Sequence, residues 1–146
     1  MQSQFISNHL LGDTIYEECI NAACAKHQLM KTEMDILLFL HNNPGYDTAT
    51  DVVRLRHLSK SHVSKSIQSL KERGFLTTFH KGSNRRTIHL KLCTTADDAI
   101  ADGLKAQNQF AEILVAGFTA EEKNQFLKYL CRIADNLQVY FQNKSI

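Results

Sequence analysis

The chain has 146 residues, 43% of them hydrophobic and 22% charged, with 17 Lys and Arg against 15 Asp and Glu. This is an ordinary globular composition, with length for one modest core and no more than two domains. No apolar run reaches the roughly 18 residues of a membrane-spanning helix, and "MQSQFISNHL" lacks the basic and apolar parts of a secretory signal, so a cytoplasmic protein with no membrane partner is expected.

In chain order, residues from about Phe5 to Gln28 read as a first helix, softly interrupted at Gly12-Asp13. "KTEMDILLFLH" reads as a second. Thr32 with Asp35 supplies a capping pattern, and Met34, Ile36, Leu37, Leu38 and Leu40 form a broad apolar face. "HNNPGYD", with the only proline, is a loop. Thr48 with Asp51 caps "TATDVVRLRH", and a further helix runs from Ser59 or Lys60 to Arg73. Two short helices so closely joined have a helix-turn-helix outline. In the second of them Val63, Ile67 and Leu70 make one apolar stripe, while Ser61, Lys65 and Gln68 point the opposite way, flanked by His62, Ser64 and Ser69. Gly74 suits a left-handed helix terminus. "LTTFH" and the alternating Ile88, Leu90 and Leu92 then form a hairpin around the basic turn "KGSNRR". Thr95 with Asp98 caps a long helix to about Gly117, and Thr119 with Glu122 caps a last one.

Charge is unevenly spread. The formal net charge is only +2, yet residues 51–91 hold ten basic and two acidic residues, leaving seven basic and thirteen acidic elsewhere. A concentrated basic surface attracts polyanions. A helix in the DNA major groove must avoid placing carboxylates near phosphates. Ser and His can bond phosphates or bases, Gln reads adenine, and Lys neutralises phosphate or reads guanine. The helix start at Ser59–Ser61 offers free N–H groups to an anion.

The order helix, helix-turn-helix, basic hairpin, two long helices resembles the MarR family of bacterial winged-helix transcription regulators over nearly the whole chain. "LSKSHVSKSIQSLKERGFL" is similar to that family's recognition helix and its exit into the wing. "NRRTIHLKLCTTA" is similar to the wing signature, Asp-x-Arg followed by a strand and Leu-Thr-x-x-Gly. Arg86 matches the signature Arg and Leu92 the Leu. Asn84 stands in place of Asp, Cys93 of Thr and Ala96 of Gly, and His57 sits where the helix-turn often has Gly. Asn84 cannot make the ion pair that the Asp would make, which puts the wing's bracing in question.

The resemblance implies a mostly α fold with a small β-hairpin wing. It implies one domain over 1–146, with a DNA-binding lobe at 32–92 and a helical dimerisation region at 1–30 and 95–146. The residues expected at double-stranded DNA are Thr48, Ser59, Lys60, Ser61, His62, Ser64, Lys65, Gln68, Lys81, Arg85 and Arg86. Lys81, Arg85 and Arg86 at the wing tip suit a minor groove, whose potential favours Arg. Phe126, Leu127, Leu130, Ile133, Leu137, Tyr140 and Phe141 form an apolar stripe on the last helix, as a homodimer seam would. Ile100, Leu104, Phe110, Leu114 and Phe118 repeat it less regularly. A two-fold dimer reading adjacent major grooves implies a pseudo-palindromic operator with half-sites about 34 Å apart. The family reading also implies a repressor, and a small-molecule effector bound between the dimer helices and the DNA-binding lobe.

Other readings keep a place. The seven His show no HxxxH or HExxH pair, so no metal and no cofactor are expected. No nucleophile elbow or glycine-rich phosphate loop is present, so no enzyme is expected. Cys19, Cys24, Cys93 and Cys131 have no CxxC spacing and read as buried free thiols. The alternatives are an oxidant- or metal-responsive regulator using Cys or His residues, and a winged-helix module that binds protein instead of DNA.

Overall fold

The computed structural model describes the backbone of residues 2–56 and 58–144 and the side chains of 11–56 and 58–140, so His57 and the side chain of Phe141 lie outside the described residues. The elements are α1 (Gln2–Lys26), α2 (Lys31–Asn42), α3 (Ala49–Arg56), α4 (Lys60–Glu72), β1 (Leu76–Phe79), β2 (His89–Leu92), a short 3-10 turn (Thr94–Ala96), α5 (Asp97–Leu114) and α6 (Ala120–Lys144). They fall into two compact units, 1–110 and 111–146. No helix among the described residues is long and apolar enough to cross a membrane.

In the first unit α2 is the axis. Its residues 33–40 are all buried, because α1, α4 and β2 pack against it. α5 approaches closely at Gly103, where a Cβ would lie 2.8 Å from Met34 Sδ. α1 runs unbroken through Gly12 and Asp13, against the expected interruption. One glycine costs a helix only about 1 kcal/mol, and Ile20, Ala23 and Cys24 anchor the last turns in the core. α1 ends where Gln28 takes a left-handed φ of 53°.

Two expected caps fall elsewhere. α2 starts at Lys31, and the Met30 N–H donates to the Glu33 carboxylate at 2.8 Å. Glu33, at the third helical position, is the nearest carboxylate to the first free N–H groups, so it caps in place of Thr32 with Asp35. Asp35, buried, faces Lys31 at 3.4 Å and Arg56 at 3.3 Å. The entry to α5 is a 3-10 turn, and that helix begins at Asp97 and stops at Leu114, before the left-handed Gly117. The other two caps form as read. Thr48 Oγ1 accepts from the Asp51 N–H at 3.1 Å, and the Thr119 N–H donates to Glu122 at 2.7 Å. The backbone bond from Thr119, with its hydroxyl, holds the Glu122 carboxyl below its ordinary range.

The hairpin pairs Leu76 with Leu92 and Phe79 with His89, antiparallel. Leu76 and Leu90 are buried. Ile88, read as an inward strand residue, precedes β2 and is exposed, and its carbonyl accepts from the Ala49 N–H. Thr48 bridges His89, so the segment before α3 runs along β2 as a short third edge.

The second unit is the last turn of α5, the turn after it and α6, closed by an edge-on contact between Phe118 and Phe126 and by a Lys123–Glu112 ion pair at 3.1 Å. Phe126, Leu127, Leu130, Ile133, Leu137 and Tyr140 are all exposed in the single chain. The stripe on α5 divides differently from the sequence reading. Ile100 is buried in the first unit and Phe110 packs edge-on against Tyr16 there, whereas Leu114 and Phe118 are exposed.

Candidate nucleic-acid interface

α4 is built to show one face. Val63, Ile67 and Leu70 sink into the core, and Ser59, Lys60, Ser61, His62, Ser64, Lys65 and Gln68 are exposed opposite them. Ser59 is the N-cap, its Oγ accepting from the His62 N–H at 3.2 Å, so the cap is itself part of the outer face. At the far end the Gly74 φ of 73° turns the chain into β1. Glu72, the one carboxylate on α4, accepts from Gln68 Nε2 at 2.7 Å, which partly occupies the amide expected to read bases.

The basic residues separate into two groups. Arg54 pairs with Asp51 and Arg56 with Asp35. Arg73 donates to the carbonyls of His27 and Gln28, both at 2.8 Å, and lies over the Phe75 ring. Arg54 is thus paired within α3, while Arg56 ties α3 to α2 and Arg73 ties the end of α4 to the segment after α1. Behind them Asp102 accepts from Lys26 at 2.6 Å and contacts His27 Nε2 at 2.8 Å, and these bonds hold its carboxyl well below the ordinary range. Lys60, Lys65, Lys71, Arg85 and Arg86 are exposed and have no acidic partner among the described residues. A row of unpaired cations repels itself and loses that repulsion against a polyanion.

At the wing tip residues 80–86 are all exposed. Asn84, doubtful as a brace from sequence, shapes the turn without charge. Its Oδ1 accepts from the Arg86 N–H at 3.0 Å and its Nδ2 donates to Thr87 Oγ1 at 3.1 Å. Two expected contact residues already have acidic partners. The Thr48 hydroxyl donates to Asp51 at 2.6 Å, and Lys81 pairs with Asp47 at 3.0 Å. The same Asp47 contacts His89 Nδ1 at 2.8 Å. Partial desolvation raises the Asp47 carboxyl, but the bonds from His89 and Lys81 outweigh it and leave the group below its usual range. The sequence reading passed over Asp47 and His89. A lone carboxylate just ahead of a basic stretch was the available signal. Between α3, α4 and the hairpin runs a groove lined by Val53, Val63, Ile67, Ile88, His80 and Lys65 among others.

The thiols do not all sit where expected. Cys24 is buried, Cys19 and Cys93 are half-buried, and Cys131 is exposed, because the face of α6 that carries it has no cover in the single chain. All four are free. Burial, then the nearby Asp35, pushes the Cys24 thiol up, away from the thiolate that an oxidant sensor needs. No three His, Cys, Asp or Glu among the described residues converge on a metal position.

Residues 27–86 match the MarR family model. An uncharacterised HTH-type transcriptional regulator of Bacillus subtilis (strain 168), YwhA, is 26% identical over 90 residues, a match covering 62% of this chain and just under two thirds (65%) of YwhA. Among solved structures, that of MarR superimposes with a TM-score of 0.70 at 21% identity, covering 91% of this chain and 96% of that one. A MarR family transcriptional regulator from Listeria monocytogenes, solved with a 26mer DNA, superimposes with a TM-score of 0.73 at 14% identity, covering 91% of this chain and 87% of that one. At these identities the structural likeness establishes the winged-helix fold.

Proposed function

We propose, from the match of residues 27–86 to the MarR family model, that the chain is a MarR-type, sequence-specific regulator of transcription that binds duplex DNA as a homodimer. It acts as a repressor in the cytoplasm, because a dimer seated on a promoter blocks access to it, and a small ligand relieves it by changing the spacing of the two lobes. The observation that carries this reading is the outer face of α4. Its hydroxyls, His62, Lys60 and Lys65 are exposed on a helix held from behind by a buried stripe, next to a wing tip with unpaired Arg85 and Arg86. That combination suits backbone neutralisation together with base reading.

The dimer half of the proposal is supported by α6. Leu127, Ile133 and Leu137 are each more than half exposed in the single chain, and soluble monomers rarely leave contiguous apolar patches beyond a few hundred Å² uncovered. A second copy supplies the matching stripe by symmetry. The test is to size the protein by light scattering, then titrate it with the duplex upstream of its own coding region and with random duplex, at two salt concentrations tenfold apart. A dimer is expected, with preference for one duplex and log affinity falling linearly with log salt by about 0.9 per phosphate neutralised. Leu130→Glu and Leu137→Glu are expected to give monomer or aggregate and to lose specific binding. A wild-type monomer at micromolar concentration that binds a half-site at full strength overturns the dimer. Affinity independent of salt and sequence overturns the regulator.

A further inference from the structure

We infer that Asp47 positions the wing and also withholds Lys81 from DNA, so that this one carboxylate exchanges non-specific affinity for sequence discrimination. The inference rests on the DNA-binding reading above. Asp47 stands immediately before the Thr48 cap of α3, and its two oxygens reach the two arms of the hairpin. Oδ1 lies 2.8 Å from His89 Nδ1 on the returning arm, and Oδ2 lies 3.0 Å from Lys81 Nζ on the outgoing arm. The backbone of the same residue accepts the Leu90 N–H at 2.7 Å. The His89 ring stacks on Phe79 at 5.3 Å, and Lys81 Nζ lies 6.0 Å from that same ring.

The hairpin needs such a tie. Its strands are four residues each, and an isolated two-stranded hairpin is marginal in water. Backbone bonds from Asp47 and Ala49 hold β2 to the lobe. Asn84 shapes the tip but bonds only within it. Among the described residues, the Asp47 carboxylate is the one side chain of the lobe bonded to the outgoing arm beyond β1. Without it the arm beyond β1 keeps only bonds within the hairpin, such as that between His80 Nδ1 and the Thr87 carbonyl at 2.9 Å.

The electrostatic consequence follows. Lys81 sits in the basic tip, yet its charge is cancelled at 3.0 Å by Asp47. The pair is surface-exposed, with Lys81 at 61% and Asp47 at 31%, and such pairs are individually weak. Here, however, the His89 contact fixes the carboxylate beside Lys81 before any phosphate arrives, and losing Asp47 releases a full positive charge beside the DNA face.

The experiment compares wild type, Asp47→Asn, Lys81→Met, the double variant and Asp47→Glu, each confirmed folded by its thermal melt, on operator and random duplex across a salt series. Asp47→Asn is expected to bind random duplex more tightly and to steepen the salt slope by about 1 for each Lys81 released in the dimer, while its operator-to-random ratio falls roughly tenfold, the scale of one lost specific contact. The double variant is expected to return the slope to the wild-type value while the ratio stays low. Asp47→Glu is expected to restore both. A purely structural Asp47 would lower affinity on both duplexes and leave the slope unchanged, and that result overturns the inference. So does a Lys81→Met protein whose slope falls by a full unit, since Lys81 would then already be on DNA. Should wild type bind no duplex, the regulator reading falls by itself. The wing tie is then decided by amide exchange over residues 80–90, with faster exchange in Asp47→Asn expected and unchanged exchange overturning it.

Discussion

α4 and the wing stand side by side and are held by different forces. α4 is fixed by packing, with Val63 and Leu70 fully buried and Ile67 nearly so, and its polar outer face takes little part in holding it. The wing buries Leu76 and Leu90, is tied along β2 by backbone bonds to Asp47 and Ala49, and carries the Asp47–His89–Lys81 contacts and the Asn84 turn on its more exposed part. A helix held by packing can change its outer residues, and with them the base reading proposed for it, at little cost in stability. A hairpin held partly by charge has one expected contact residue, Lys81, among its positioning residues, so salt and substitution would act on both together.

The comparison is broken most severely from inside. Leu70→Ala empties a fully buried position under α4. It is expected to cost about 2–5 kcal/mol, the range for buried Leu truncation, and to abolish DNA binding at ordinary temperature. Ile88→Ala in the wing, at an exposed position, should stay within about 0.5 kcal/mol. Urea denaturation of the two variants measures this directly, and equal shifts in midpoint would mean that the wing is packed as firmly as α4.

Next in size are changes on the outer face of α4. Lys65→Ala should leave the melt unmoved and cost about 1–3 kcal/mol on operator duplex, the range for a base-edge contact, with less lost on random duplex. Lys71→Ala, near the helix end, should lower both evenly. Titrating both variants on both duplexes decides it, and an unchanged operator-to-random ratio in Lys65→Ala would remove α4 as the reader.

The same division explains what could be read in the sequence. The α4 stripe, the Gly74 turn and the Thr48 and Thr119 caps are local patterns of period or spacing, and each appears as read. What stayed hidden depends on residues far apart in the chain. Asp47 meets Lys81 and His89 across 34 and 42 positions, and Arg73 meets His27 across 46. A count of charges over residues 51–91 treats all ten cations alike, whereas the fold sets Arg54, Arg56, Arg73 and Lys81 against acidic or carbonyl oxygens. Thr32 and Asp35 have the spacing of a cap, but the same spacing from Met30 reaches Glu33, and that is the pair that forms. The wing signature was legible, and its Asn84 departure turned out to keep a local brace by hydrogen bonds in place of charge.

The cap itself gives a smaller effect. Ser59→Ala removes the acceptor for the His62 N–H and should destabilise by about 1 kcal/mol, visible as a lower melting temperature. Ser59→Asp should restore the melt, since Asp caps as well, and yet weaken DNA binding by placing a carboxylate on the DNA-facing side. A variant in which stability and binding recover together would mean that Ser59 does not face DNA.

The smallest effect, and the one that isolates charge on the wing, is Arg86→Ala. The bond that Arg86 gives to the turn comes from its backbone N–H to Asn84 Oδ1, so the substitution leaves the turn intact. The side chain is exposed and has no acidic partner among the described residues. Its loss should therefore leave the melt within about 0.5 kcal/mol of wild type. The salt slope should become shallower by about 1 for each Arg86 that meets a phosphate. Arg85→Ala is the internal comparison, because neighbouring residues on a tight turn point in different directions and only one need face the duplex. Slopes unchanged in both variants would show that the wing tip stands clear of DNA and that α4 carries the contact alone. A slope change in Arg86→Ala accompanied by a lower melt would show instead that the wing's pose, and not only its charge, depends on this side chain.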